Sequence, residues 1–261
     1  MTKKTPDPNY STLLKDLQEL SDSKSITAFV PSLNKEITLK PLNVKQQKSI
    51  IRSAIDPALT NITFTNAVND IIVENSPADI EFYAVDRPSL LIALRVQALG
   101  RVLNITQKDV SYEVDLQPHV DTFNTHTFDT DLLTGVVDSS GIRATLLAPT
   151  ITIDTRINKS ASKTTSKSIK TSADALYSIG DLFVYELVKY ITTLEFNGNV
   201  IDFTGINIKQ GIDAVESLPM ALSGKIVAFI EKLKTYEDNF TKIAHIDKKL
   251  DIGLDATFFT S

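Results

Sequence analysis

Apolar residues recur along this 261-residue chain at helical and strand periods, and the changes of period mark out its elements. Leu13, Leu14, Leu17 and Leu20 fall at helical spacing within residues 9–20. Their stripe is narrow, and it suits a partner surface as well as the protein's own core. Residues 25–31 and 34–40 are rich in β-branched and apolar side chains, with Pro31-Ser32-Leu33-Asn34 between them, and read as a hairpin. Asn43 is placed to cap a helix carrying Val44, Ile50, Ile51, Ala54 and Ile55 on one side. From Asn61, the residues Phe64, Ala67, Val68, Ile71 and Ile72 predict a second amphipathic helix. Asp86 is the expected cap of a third, with Pro88 in its first turn, where a missing N–H costs nothing. Apolar residues surround that helix from Leu90 to Leu99, so it should be the most buried helix of the N-terminal half.

Gly100 is the first glycine, and the texture changes after it. Residues 101–106 and 110–116 read as strands, and 117–133 as a polar, irregular stretch. Residues 135–138 and 142–147 read as a hairpin around Asp138-Ser139-Ser140-Gly141, in which Gly141 can take a positive φ. Residues 155–172 hold Arg156, Lys159, Lys163, Lys167 and Lys170 among many Ser and Thr, with no acid. This composition predicts a linker or long exposed loop; the competing reading is a basic contact strip for an acidic partner surface. A long helix follows, with a stripe of Leu176, Ile179, Phe183, Leu187, Tyr190, Ile191 and Leu194. Asn197-Gly198 supplies the turn of a tight hairpin. Two further helices carry Ile208, Ile212 and Val215, then Leu222, Ile226, Phe229, Ile230 and Leu233, and a terminal hairpin spans 240–246 and 250–259.

The fold class is therefore α+β: helical bundle layers with short antiparallel β-hairpins, in two subdomains. The expected division is an N-terminal arm (1–24), an N-terminal α+β subdomain (25–154), the basic linker (155–172) and a C-terminal helical subdomain with the terminal hairpin (173–261).

Composition narrows the chemistry. The chain is 42% hydrophobic and 23% charged, with net charge −5 and neither Cys nor Trp. Without Cys there is no thiolate nucleophile and no Cys-based metal site. The mildly acidic balance argues against duplex binding, which leaves a nucleic-acid role only to the basic strip. The longest apolar-rich stretch is far short of the ~20 residues needed to cross a bilayer, and no signal peptide is evident. The three histidines are His119, His126 and His245. His126 lies near Asp129 and Asp131, which leaves a hydrolase reading formally open, but no G-x-S-x-G elbow accompanies it. His119 with Asp121 and His126 with Asp129 read as surface polar residues. No P-loop, G-x-G-x-x-G, EF-hand or H-E-x-x-H pattern occurs, so no catalytic residue, cofactor or metal ligand is expected. Phe258-Phe259 must be covered, either by folding back on the long helix or by a neighbouring subunit.

Four segments carry a resemblance: KPLNVKQQKSII after the first hairpin, DRPSLLIALRVQALG, LEFNGNVIDF with VESLP and a helix ending EKLKTYE, and LDIGLDATFF. In this order they resemble the baseplate hub and hub-assembly proteins of T4-like contractile-tailed bacteriophages. The resemblance implies a non-enzymatic virion protein of the tail baseplate, made in the host cytoplasm. It would contact hub and inner wedge subunits in multiple symmetric copies, without nucleic acid or membrane. An assembly chaperone absent from the finished particle is the alternative. Related tail proteins often place a Cys pair before the last strand; here Ala244-His245-Ile246-Asp247 stands there, and no zinc is expected. The expected contact residues are Leu13 and Leu17 on the N-terminal helix, Phe123 and Phe128 in the polar stretch, Arg156, Lys159, Lys163 and Lys167 on the basic strip, and Phe258 and Phe259.

Overall fold

A reciprocal pair of hydrogen bonds starts the second helix. Gln46 N–H donates to the Asn43 side chain at 3.0 Å, and Asn43 N–H donates to the Gln46 side chain at 3.1 Å. Two otherwise unpaired helix donors are satisfied at once, which is why α2 (Val44–Ser53) begins where it does. The buried Gln46 amide also donates to Asn75 at 2.8 Å, fixing α2 on the end of α3 (Thr60–Asn75).

The computed structural model describes residues 8–22, 24–53, 60–107, 109–125, 127–168, 172–245, 248–254 and 256–259. The expected positions Ala54, Ile55, His126, Lys170, Ile246 and Asp247 lie outside them. The protein is α+β. The N-terminal part comprises α1 (Pro8–Asp22), the hairpin β1 (Ile26–Val30) and β2 (Lys35–Leu39), α2, α3, and α4 (Arg87–Leu99). There follow the hairpin β3 (Val102–Gln107) and β4 (Val110–Asp115), then α5 (Gln117–Thr125). Next come β5 (Thr134–Ser139), β6 (Ile142–Leu147), α6 (Ile151–Ser168), α7 (Ser172–Tyr190), β7 (Ile191–Phe196) and β8 (Asn199–Asp202). The chain then runs through α8 (Ile208–Glu216), α9 (Met220–Thr241), β9 (Lys242–His245) and β10 (Lys248–Asp251), with a last 3-10 turn at Ala256–Phe259.

β5-β6-β7-β8 form one antiparallel sheet, with Val137, Ala144, Leu194 and Ile201 aligned across it. Because β6 pairs directly with β7, α6 and α7 are inserted between neighbouring strands. Residues on both sides of 155–172 enter one hydrophobic cluster, from Ala28 to Phe259. The Asn197-Gly198 turn has φ of 51° and 78°, as a primed hairpin turn requires. At Gly135 of β5 the backbone lies so close to α9 that an added Cβ would sit 2.9 Å from the Phe229 ring.

Several sequence expectations are corrected. Residues 151–168 form helix α6, where a loop was expected from 155. The Ser/Thr content disfavours a helix only weakly, and Ile157, Asn158 and Ala161 bury a face that outweighs it. Residues 117–125 are helical as well, not irregular. α7 stops at Tyr190, and Ile191 and Leu194 belong to β7, because ITTLEF is rich in strand-forming residues and pairs on both edges. α9 runs on to Thr241, which shortens the terminal hairpin. Asp86 does not cap α4 with its side chain. It accepts instead from Ser32 N–H at 2.8 Å, the Ser32 hydroxyl at 2.7 Å and Tyr83 N–H at 3.0 Å, joining two 3-10 turns. Burial pushes its carboxyl up to about 6, against the pull of those hydrogen bonds.

Candidate partner-contact surfaces

α6 has two faces of opposite character. Inward, Asp154, Ile157, Asn158 and Ala161 are buried. Outward stand Arg156, Lys159 and Lys163, three to four residues apart and thus in one row. Lys167 continues the spacing but falls where side chains are not described. Asp154 is the only acid of the helix, and it points the other way.

Asp154 locks this orientation. Its carboxylate meets Arg87 of α4 at 2.6 Å and Lys189 of α7 at 2.9 Å, and it accepts from Asn69 of α3 at 2.9 Å. Arg87 also donates to Asn69 at 2.9 Å, and Lys189 reaches Glu186 at 2.7 Å. One carboxylate thus ties four helices. Burial raises its pKa, but the two cations and the hydrogen bonds outweigh that and hold it below the ordinary carboxylate value. Lys189 is buried too, yet Glu186 and Asp154 hold it above the usual ammonium value. Breaking such a group strands unpaired buried charge, so the register of α6 against α3, α4 and α7 is firmly specified. On the outer face Lys159 reaches Asp70 at 3.0 Å, but both side chains are about half exposed and the pair contributes little.

α1 presents the second surface. Leu13, Leu14, Leu17 and Leu20 are 55%, 47%, 52% and 57% exposed, and none joins the core. Leu17 and Leu20 form one wall of a groove of about 460 Å³, and Leu42, Val44, Leu99 and Phe259 are on its other walls.

Four expected contact residues lie inside the protein instead. Phe123 and Phe128 are each 2% exposed. Phe123 stacks on Phe240 with ring centres 4.3 Å apart, and Phe128 meets Tyr236 edge-on at 4.8 Å. Phe258 and Phe259 are each 1% exposed, packed on α2 and α4 rather than on the long helix α7. The sequence showed no trace of these partners, which are distant along the chain. His119 is likewise not a surface residue. It is half-buried, edge-on to Phe123, and hydrogen-bonded to the Phe240 carbonyl. Burial pulls its pKa below the usual imidazole value, the carbonyl contact opposing.

Sequence reading missed the Arg87–Asp154–Lys189 group and the fully buried Arg95. The only available signal was charge in otherwise apolar segments, Arg95 within LLIALRVQAL above all. Among the described residues no three His, Asp or Glu gather where they could hold a metal ion, and no helix is long and apolar enough to cross a membrane.

The architecture is thus a helical scaffold that turns a basic ridge and a leucine stripe outward. The family model described as T4 bacteriophage base plate protein matches residues 23–242. The chain belongs to that family. No curated protein and no solved structure matches it.

Proposed function

We propose that the chain is a structural adaptor in the central hub or inner baseplate of a T4-like contractile tail. It catalyses no reaction, and it joins hub and inner wedge subunits in several symmetric copies. Family membership supports the baseplate setting. The observation that carries the adaptor role is the outward row Arg156, Lys159 and Lys163 on a helix locked from beneath by Asp154. A rigidly held row of cations of one sign suits an acidic protein surface, setting orientation and rate of docking more than raw affinity. The net charge of −5 makes that ridge a local exception, which fits a protein partner better than a nucleic acid.

The leucine stripe of α1 favours a second reading, an assembly chaperone that leaves before the particle matures. Quantitative mass spectrometry of purified intact particles separates the two. The adaptor reading expects this chain at a small multiple of three or six per tail. Its absence from infectious particles would overturn that reading and leave the chaperone.

A further inference from the structure

The exposed leucine stripe of α1 follows a heptad repeat. Leu13, Leu17 and Leu20 are spaced four and three residues apart, as the d, a and d positions of a heptad pattern are. Leu14 widens the stripe on one side. The wall facing it across the groove sets Leu42, Val44, Leu99 and Phe259 among the polar Asn43, Gln47 and Gln97. Val44 is 80% exposed. Within that wall the Gln97 side-chain oxygen Oε1 is enclosed and accepts no hydrogen bond among the described residues.

Charge suggests what fills the groove. α1 carries Asp16, Glu19 and Asp22 against Lys15, while α2, beside the groove, carries Lys45, Lys48 and Arg52 and no acid. An added helix with the composition of α1 matches the groove twice, by leucines against its apolar side chains and by acids against α2. Both the ridge and its receptor are present in one chain, which is the condition for a closed two-fold contact.

We infer that a second copy of this chain occupies the groove, its α1 packing leucine face to leucine face against α1 of the first copy and over α2, reciprocally. The leucines of α1 and Val44 are exposed and lie outside the hydrophobic core, so neither core is disturbed. This pairing does not depend on the baseplate assignment.

The test is the mass of the full chain in solution, measured by sedimentation equilibrium over a range of concentrations. The wild-type protein gives twice the 28.8 kDa of one chain. Leu13→Glu with Leu17→Glu, and separately Val44→Glu on the opposite wall, each return it to a single chain with an unchanged circular dichroism spectrum. The Val44 variant keeps the test decisive if the α1 variant perturbs folding, since its site is on the surface. Because the chain has no Cys, Leu17→Cys adds a single thiol that a short bifunctional maleimide joins between copies. A wild-type chain that stays monomeric at every concentration overturns the inference, even if the groove then takes a helix from another protein. A dimer that survives both sets of substitutions also overturns it.

Discussion

Arg95 Nε donates to the carbonyl of Phe258 at 3.1 Å, across 163 residues of sequence. The same guanidinium donates to the carbonyls of Gly100 and, at 2.9 Å, Val102, and it lies 5.6 Å from the Phe258 ring centre. Gln47 donates to the Phe259 carbonyl at 3.3 Å. A fully buried arginine thus fastens the final 3-10 turn to the end of α4 and the start of β3. Phe258→Ala is expected to cost about 3–5 kcal/mol by opening a cavity around that clamp. Arg95→Met keeps the stem but leaves three carbonyls without this donor, and is expected to cost about 3 kcal/mol or more. Urea unfolding of both variants checks this; losses below about 1 kcal/mol would mean the clamp is not formed.

Asp154→Asn tests the tie beneath the basic ridge. It leaves Arg87 without its anion and Lys189 with Glu186 alone, at an expected cost of about 3 kcal/mol. The folded-state pKa of Asp154 lies below its unfolded value, so its contribution is present above the ordinary aspartate value of 3.8 and is lost as pH falls through the lower folded value. The wild type should therefore lose stability on acidification in that range more steeply than Asp154→Asn, as thermal unfolding at a series of pH values would show.

Glu237 of α9 behaves in the opposite sense. Burial pushes its carboxyl up to about 7; Arg87 and Lys234 favour its ionisation, while Glu186 and Asp154 oppose it. With Arg87 and Lys189 balanced by Asp154 and Glu186, it is the odd charge of the group. The folded state therefore binds this proton more tightly than the unfolded chain. Stability should fall as pH rises from about 4.5 through 7, with Asp86 adding to the fall between 3.8 and about 6. Glu237→Gln should flatten the upper part of that slope and raise Tm at pH 8. An unchanged slope would remove Glu237 from the account.

Charge reversal on the ridge separates surface from scaffold. Arg156→Glu, Lys159→Glu and Lys163→Glu sit on the exposed face of α6, and each should change stability by no more than about 0.5 kcal/mol. The triple variant should fold normally yet fail to complement particle assembly. Normal infectivity with all three reversed would mean the ridge contacts nothing essential.

What the sequence made legible was what its own neighbours decide. α4 was legible because apolar residues surround it, and the β7–β8 turn because Asn-Gly accepts positive φ. α6 was not, since its Ser and Thr pointed to a loop, while the face of Ile157, Asn158 and Ala161 that makes it a helix is buried against α3 and α7, separate segments of the chain. The same distance hid the aromatic cluster: Phe123 and Phe128 sit among polar neighbours and looked exposed, but Phe240 and Tyr236 cover them. Asp86 looked like a helix cap because its partner Ser32, 54 residues earlier, leaves no local mark. Of the expected contact surface, Leu13 and Leu17 of α1 and Arg156, Lys159 and Lys163 of α6 remain outside, and the four phenylalanines do not.

Zero-length cross-linking of amines to carboxylates in intact, purified tails, read by mass spectrometry, tests the adaptor claim most directly. Links are expected from Lys159 and Lys163 to Asp or Glu residues of a different baseplate subunit. Links from these lysines confined to their own chain, such as Lys159 to Asp70, with none to any neighbour, would contradict it.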